Sequence, residues 1–577
     1  MAEKLISPGV FTAENDLSFI PAGVGEIGGA IVGPTVKGPA LVPTVVNSYA
    51  EYAQVFGDVF ASGSTVTEYL TSISAREYLK HSGTLTVVRI LGTGYSNATS
   101  TVTQSAGADA TSNSFTLNTI ADGKTQNSSG SEGANNVLST TGTKDNLRWE
   151  ISTVNNSKGT FTLLIRRGDD SSKHKVILET HSDLSLDPNS SNYIAKRIGD
   201  QKNVLVTSDG TYLQPSGNYP NQSRYIYVSV VADTIDYLDS NGSVRVDTAS
   251  GSLPIAATSG TFAGGVNGNE ASGAKSMFGD ISPTNAQGLK LDSGTSGSDH
   301  YGYAFDLLGN QDDYDINLLW APGINNSDHG ALCNKLITTC EGRGDCFAIV
   351  DPVGHGKTID NAVTQGGAED TSYAAMYWPW VQTSANGRYV WVPASTLMPG
   401  VIAFNDKVSH EWYAPAGLNR GGLSSAIQAE RKLTHANRDT LYEAAINPLA
   451  TFPGEGVCAW GQKTLQRKAS ALDRVNVRRL LINLKKFIAS TSRYLVFENN
   501  TASTRNRFLA SVNPYMESVQ EKNGLYAFKV VMDESNNTPD IIDRNIMKGE
   551  IYLQPAKAAE FIVVDFNIMP TGATFED

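Results

Sequence analysis

The residues whose type and spacing could support chemistry fall in a few short stretches. Gly23, Gly25 and Gly28 follow the G-x-G-x-x-G spacing of a dinucleotide-binding turn. That chemistry needs a strand leading into the glycines and a helix opening behind them, so that backbone amides point at a pyrophosphate. Pro21 interrupts the approach and Gly33-Pro34 stops any helix, so a glycine-rich turn is the better reading. Gly356, Lys357 and Thr358 follow an apolar stretch as in a P-loop, but the position five residues before Gly356 is Asp351 rather than glycine. An acidic side chain there repels phosphate instead of cradling it. His410-Glu411 begins like a zinc-protease helix, yet Ala414 stands where the second histidine ligand would be.

Four cysteines are present, Cys333, Cys340, Cys346 and Cys458, and none forms a C-x-x-C pair. Cys333, Leu336, Ile337 and Cys340 instead fall at i, i+3, i+4 and i+7, the inward stripe of one helix. His329 lies one turn before Cys333 and could complete a metal pair; buried thiols account for the spacing more simply. These stretches give no foothold for an enzyme, and no catalytic residue, cofactor or metal is expected.

The elements around them read as alternating strands and helices broken by an insertion. Ala30–Val32 is a short strand and Ser48 can cap a helix running to Phe56. A second helix is expected with Val66, Tyr69, Leu70 and Ile73 on one face, and Thr84–Leu91 follows as a buried strand. From Gly92 to about residue 300 the chain turns rich in Ser, Thr, Asn and Gly. Strands are expected there at Leu147–Thr153, Phe161–Arg166, Lys175–Thr180, Val204–Ser208 and Arg224–Ala232. Alternation resumes with a strand at Ile316–Trp320, a helix at His329–Glu341 and a strand at Cys346–Asp351. A last unit after Leu441 has a helix at Arg474–Ser490 with Val477, Leu480, Leu481, Leu484 and Ile488 inward. Strands at Leu525–Met532 and Glu550–Leu553 follow it. The expected class is α+β and multidomain: a discontinuous α/β core with β-rich inserted modules.

The chain has 577 residues, 54 of them glycine, and a formal net charge of −13. That balance argues against direct nucleic-acid binding, which needs a basic face. Apolar runs of membrane-spanning length are absent, and residues 1–20 lack the order of a signal peptide, so synthesis and assembly in a cytoplasm are expected. Against this acidic background, the stretch from Leu465 to Asn500 holds eight basic residues and only two acidic ones. Arg478/Arg479 and Lys485/Lys486 are seven residues apart, two helical turns, so they are expected to share an outward face suited to an acidic partner. Near the C-terminus Phe561, Val563 and Asp565 alternate with Ile562, Val564 and Phe566, giving a strand that is largely apolar on both faces. Such a strand requires pairing, within the chain or with a neighbour's sheet edge.

The stretches LISPGVFTAENDLSF and GGAIVGPTVKGPALVPTVVNSYAEYAQVFG, together with INPLATFPGEGVCAWGQKTL and RVNVRRLLINLKKFI, resemble tail sheath proteins of contractile-tailed bacteriophages. The resemblance covers roughly residues 4–92 and 300–577. It implies a structural subunit of the virion tail, self-assembling as stacked hexameric rings in a helical polymer around the tail tube protein. Baseplate and tail terminator proteins would be further partners, and contraction would drive the tube through the host envelope. The sheath of a phage-derived injection system is the alternative. The implied division is an N-terminal arm (1–22), a discontinuous middle domain (23–92 and 300–440), an outward β-rich insertion (93–299), a tube-facing C-terminal α/β sheath domain (441–557) and a C-terminal arm (558–577). Strand-exchanging arms would carry Leu5, Ile6, Val10 and Phe11 at one end and Phe561, Ile562, Val563, Val564 and Phe566 at the other. Arg474, Arg478, Arg479, Lys485 and Lys486 become candidate tube contacts.

Overall fold

Runs of apolar residues without polar alternation mark strands covered on both faces, and eight strands of this chain form one such sheet. In the computed structural model, which describes residues 28–62, 65–105, 113–128, 142–229, 231–245, 252–268 and 296–562, they are β1 (Gly28–Gly33), β2 (Thr44–Val46), β3 (Leu85–Arg89), β4 (Ile316–Asn325), β5 (Phe347–Asp351), β6 (Ala374–Trp378), β7 (Ile446–Phe452) and β8 (Gly456–Ala459). The order is β2-β3-β1-β4-β5-β6-β7-β8. Neighbours from β3 to β7 are parallel, while β2 and β8 close the two ends antiparallel.

β1 pairs with β3 on one side and with β4 on the other, Ala30 facing both Thr86 and Leu319. The sheet begun before the insertion is therefore completed after it. Backbone approach is tight here: a Cβ on Gly28 would lie 2.4 Å from the Thr84 carbonyl oxygen, and one on Gly29 would lie 2.5 Å from the Trp320 ring. Gly28 thus serves strand packing rather than a phosphate turn.

Successive side chains point to opposite faces and sort into two cores. Ala30, Val32, Leu319, Ala348, Val350 and Met376 join one core. It also holds Tyr301 and Phe305 from the helix Ser296–Leu308, and Leu332, Cys333, Leu336, Ile337 and Cys340 from Asn326–Arg343. Ile31, Leu318, Trp320, Phe347, Ile349 and Tyr377 join the other. Its helices are α1 (Tyr49–Phe56), α2 (Leu70–Leu79) and α3 (Ala394–Val408). Ser48 caps α1 as expected, its Oγ accepting from the Glu51 amide at 3.2 Å. Val66, expected on a helix, lies instead in a hairpin of Val59–Ser62 with Thr65–Glu68. β-branched Val66 between two threonines favours the extended chain, and α2 opens at Leu70.

The insertion has its own core. Four antiparallel strands (Ile177–Ser185, Thr160–Arg167, Leu147–Asn155, Ser259–Thr261) form one sheet, and three (Ile226–Ser229, Asn113–Asp122, Asn97–Thr103) form another. Arg89, at the end of β3, pins this module to the core. Its guanidinium donates to the carbonyls of Gly38 at 2.6 Å and Asp122 at 2.7 Å, while the Asp122 carboxylate accepts from the Ala40 amide at 2.9 Å.

Contacts divide the chain into two units, one of residues 484–559 and one holding the sheet, the insertion and residues 560–562. The sequence division at residue 441 falls before β7 and β8, which extend the central sheet. In the 484–559 unit, helix α6 (Ala502–Glu521) opens at Thr501, whose Oγ1 accepts from the Thr504 amide at 3.3 Å. Phe508, Val512, Met516 and Val519 form its buried stripe, worth about 1.5–3 kcal/mol per side chain. α6 packs on the first strand of a two-stranded ribbon, β9 (Leu525–Val531) with β10 (Glu550–Pro555).

Candidate functional site

Where no catalytic residue is expected, the surfaces and strand edges that the chain offers are the candidate site. The ribbon offers both. β9 and β10 pair antiparallel from Leu525↔Pro555 to Val531↔Glu550. Phe528, Val530, Ile551 and Leu553 lie on one half-buried face, and Lys529 and exposed Tyr552 on the other. Among the described residues the ribbon has no third strand. Two strands alone are marginally stable, and an outer strand edge is a template for a further strand; on β9 the Tyr526 carbonyl accepts from Gln520 Nε2 at 2.9 Å.

The basic helix departs from the sequence expectation. α5 (Val475–Ser492; His435–Glu443 is α4) is buried on every side through its first turns, since Val475–Leu480 are all buried. Arg479 is 2% exposed and grips Asp406 of α3 through two bonds of 2.7 and 2.5 Å. Burial disfavours its charge, but Asp406 more than compensates and raises its pKa. Arg478, 5% exposed, lies 4.1 Å above the Tyr373 ring and donates to Ser372 Oγ, and burial lowers its pKa. Both guanidiniums are interior groups, and the outward face expected for Arg478 and Arg479 is corrected: their partners are acidic and aromatic residues of their own unit. Lys485 is exposed and Lys486 half-buried in the other unit.

Arg474 precedes α5 and binds Glu560 side-on, Nε to Oε1 at 2.7 Å and Nη2 to Oε2 at 2.9 Å. Tyr442 of α4 donates its hydroxyl to Glu560 Oε2 at 2.8 Å, and Gln462 Nε2 donates to Oε1 at 3.1 Å. Burial raises the Glu560 pKa, but these hydrogen bonds outweigh it and hold the carboxyl below its usual range. The donors have a firm base: Val475 N donates to Gln462 O at 2.8 Å and Thr464 N to Asp473 O at 3.0 Å. Lys463 Nζ sits 4.2 Å over the Tyr442 ring. Of the predicted arm residues, Phe561 and Ile562 are 79% and 84% exposed. Leu5, Ile6, Val10, Phe11, Val563, Val564 and Phe566 lie outside the described residues.

The motifs with chemical spacing have structural employment. The Gly356 amide donates to Glu430 Oε1 at 2.5 Å, and Thr358 caps the helix Ile359–Gly366 with Asn361 in a reciprocal pair. Glu411 lies in a turn, not a helix, and accepts from Asn483 Nδ2 at 2.9 Å and Asn317 Nδ2 at 3.3 Å. All four cysteines are buried and free. No group of three His, Cys, Asp or Glu residues able to hold a metal occurs among the described residues. None of their helices is long and apolar enough to cross a membrane. Sequence reading missed Asp406, Tyr373, Tyr442, Gln462 and Glu560, since only the charges close in sequence to the basic stretch bore on its expected face.

Residues 294–465 match the family described as phage tail sheath protein central domain, and residues 467–569 the phage tail sheath C-terminal domain. Among similar proteins, the tail sheath protein of Vibrio phage KVP40 is 38% identical over 230 residues, 40% of this chain and 34% of that protein. The tail sheath protein of Enterobacteria phage T4 is 31% identical over 296 residues, 48% of this chain and 45% of that protein. The chain matches less than half the length of these curated relatives. In fold it is similar to the sheath tail protein of Listeria innocua, with TM-score 0.52 and 10% identity over 89% of this chain and 90% of that one. The helical sheath of the anti-feeding prophage, in its contracted state, gives 0.50 with 14% identity over 97% and 98%. Tail sheath proteins are structural parts of the virion, not enzymes, and residues 294–569 of this chain carry the central and C-terminal domains of phage tail sheath proteins in order.

Proposed function

We propose that the chain polymerises as stacked hexameric rings around a tail tube and contracts to drive that tube through the host envelope. The observation that carries the reading is the β9–β10 ribbon, which has two strands among the described residues, in a chain whose last described residues, Phe561 and Ile562, are apolar and exposed. Open edges bind an extended segment through main-chain hydrogen bonds, with alternate side chains giving specificity. Arms at 1–22 and 558–577 would enter ribbons of neighbouring subunits, assembled in the host cytoplasm and joined at the tail ends by baseplate and terminator proteins. The insertion at 93–299 would face outward from the middle domain of 23–92 and 300–440, and the C-terminal domain of 441–557 would face the tube. Exposed Lys485 and half-buried Lys486 are the proposed tube contacts, since Arg478 and Arg479 lie in the interior of the subunit and Arg474 holds Glu560. Contraction then needs no nucleotide: subunits move as rigid bodies from a kinetically trapped lattice to one with more contact.

Electron microscopy of the purified chain tests this. Rings or tubes are expected from the full chain, and removal of residues 563–577 is expected to leave soluble subunits. Unimpaired tubes from the truncated chain would exclude the C-terminal arm.

A further inference from the structure

The fixed point from which the C-terminal segment departs is built with unusual care for a surface carboxylate. Glu560 receives four hydrogen bonds from three side chains, two of them from the Arg474 fork. Gln462 is 3% exposed, and both Gln462 and Arg474 belong to paired backbone segments. Tyr442 is oriented in turn by the Lys463 ammonium over its ring and by Lys463 Nζ donating to its carbonyl at 2.8 Å. Immediately afterwards the chain turns outward, with Phe561 and Ile562 mostly in solvent. The contrast between a held carboxylate and two exposed apolar residues has no folding rationale, because burying those two side chains would stabilise the subunit.

We propose that the Tyr442–Gln462–Arg474 cradle is a clasp for Glu560 that sets where, and in which direction, the C-terminal segment leaves the subunit toward a second copy of this chain. Glu560 is a positioning residue. It lowers the ordering cost of strand addition by fixing one end of the arm before it meets its acceptor. The inference rests on the reading of residues after Glu560 as an inter-subunit arm, and it adds the groups that aim that arm. Arg474 immediately precedes α5 and Glu560 follows the 484–559 unit, so the pair also brackets that unit in sequence.

The test measures polymerisation on the unlabelled full chain, and segment mobility on the dissociated full chain carrying I562C and a nitroxide. The four native cysteines are buried, so the label is selective in the folded protein. E560Q keeps the size of the side chain and removes the charge that the Arg474 fork grips. It is expected to melt within about 3 °C of the parent, since an ion pair whose side chains keep 25% and 19% exposure is partly screened by solvent and adds little stability. The nitroxide should become more mobile, and the critical concentration for polymer should rise about tenfold or more as preorganisation is lost. Y442F, which removes one donor, should shift both readouts in the same direction by less, and it carries the test if E560Q melts early. Unchanged label mobility and critical concentration in both variants would overturn the clasp. Deletion of 563–577 separates the two ideas. If it abolishes polymer while E560Q and Y442F do not alter assembly, the clasp alone fails; if the deletion polymerises normally, the arm reading fails with it.

Discussion

Arg479 and Asp406 are 73 residues apart in sequence and meet in a pair joined by two hydrogen bonds beneath α5. Cutting one partner from such a pair leaves the other charge buried, at a cost of about 3–5 kcal/mol. D406A should therefore lower the urea midpoint sharply without changing the slope. A shift equivalent to less than about 1 kcal/mol would mean that the pair is solvated like a surface bridge. Asp351, at the end of β5, behaves in the opposite sense to Glu560. Burial pushes its carboxyl up to about 7, against hydrogen bonds from the Ser395 amide at 3.0 Å and from Ser395 Oγ. The folded chain keeps that proton to higher pH than the unfolded chain, whose ordinary value is 3.8. Its contribution to stability is thus full below about pH 4 and lost as pH rises toward 7. Denaturation at stepped pH should show that decline, and D351N should flatten it. The Asp351 position was legible in sequence as an obstacle to phosphate; its burial was not, because Ser395 lies 44 residues away.

Elements with strong local signals were legible. The apolar stripe predicted over His329–Glu341 lies within the helix Asn326–Arg343, and Ser48 announced α1. Polar strands were harder to read. Asn97–Thr103 and Asn113–Asp122 alternate Ser, Thr and Asn with few apolar residues, and only the facing sheet explains Ala98, Val102, Phe115 and Leu117 inward. α5 misled in another way, since a seven-residue spacing of cations marks a shared face but not whether another element covers it. The ribbon is the element whose environment should change most on assembly. Hydrogen exchange should find the edge amides of β9 and β10 fast in the dissociated chain and slow in polymer, while β5 amides, inside the central sheet, stay slow in both. Equal protection of the ribbon in both forms would mean that nothing is added to its edges.

The discontinuous sheet was readable for the whole molecule because alternation stops near residue 92 and resumes near 301, and β1 pairs with strands from both sides of that gap. The place proposed for the final strands in an assembly comes from resemblance alone, since β-composition reports a need for a partner and not its identity. On the proposed reading, residues after Glu560 leave their own subunit and complete a neighbour's ribbon. A helical cryo-EM reconstruction of the assembled chain tests it most directly. Continuous density is expected from Glu560, held at Arg474, into a strand hydrogen-bonded along β9 or β10 of an adjacent subunit. Density that instead folds back onto the ribbon of its own chain would contradict it.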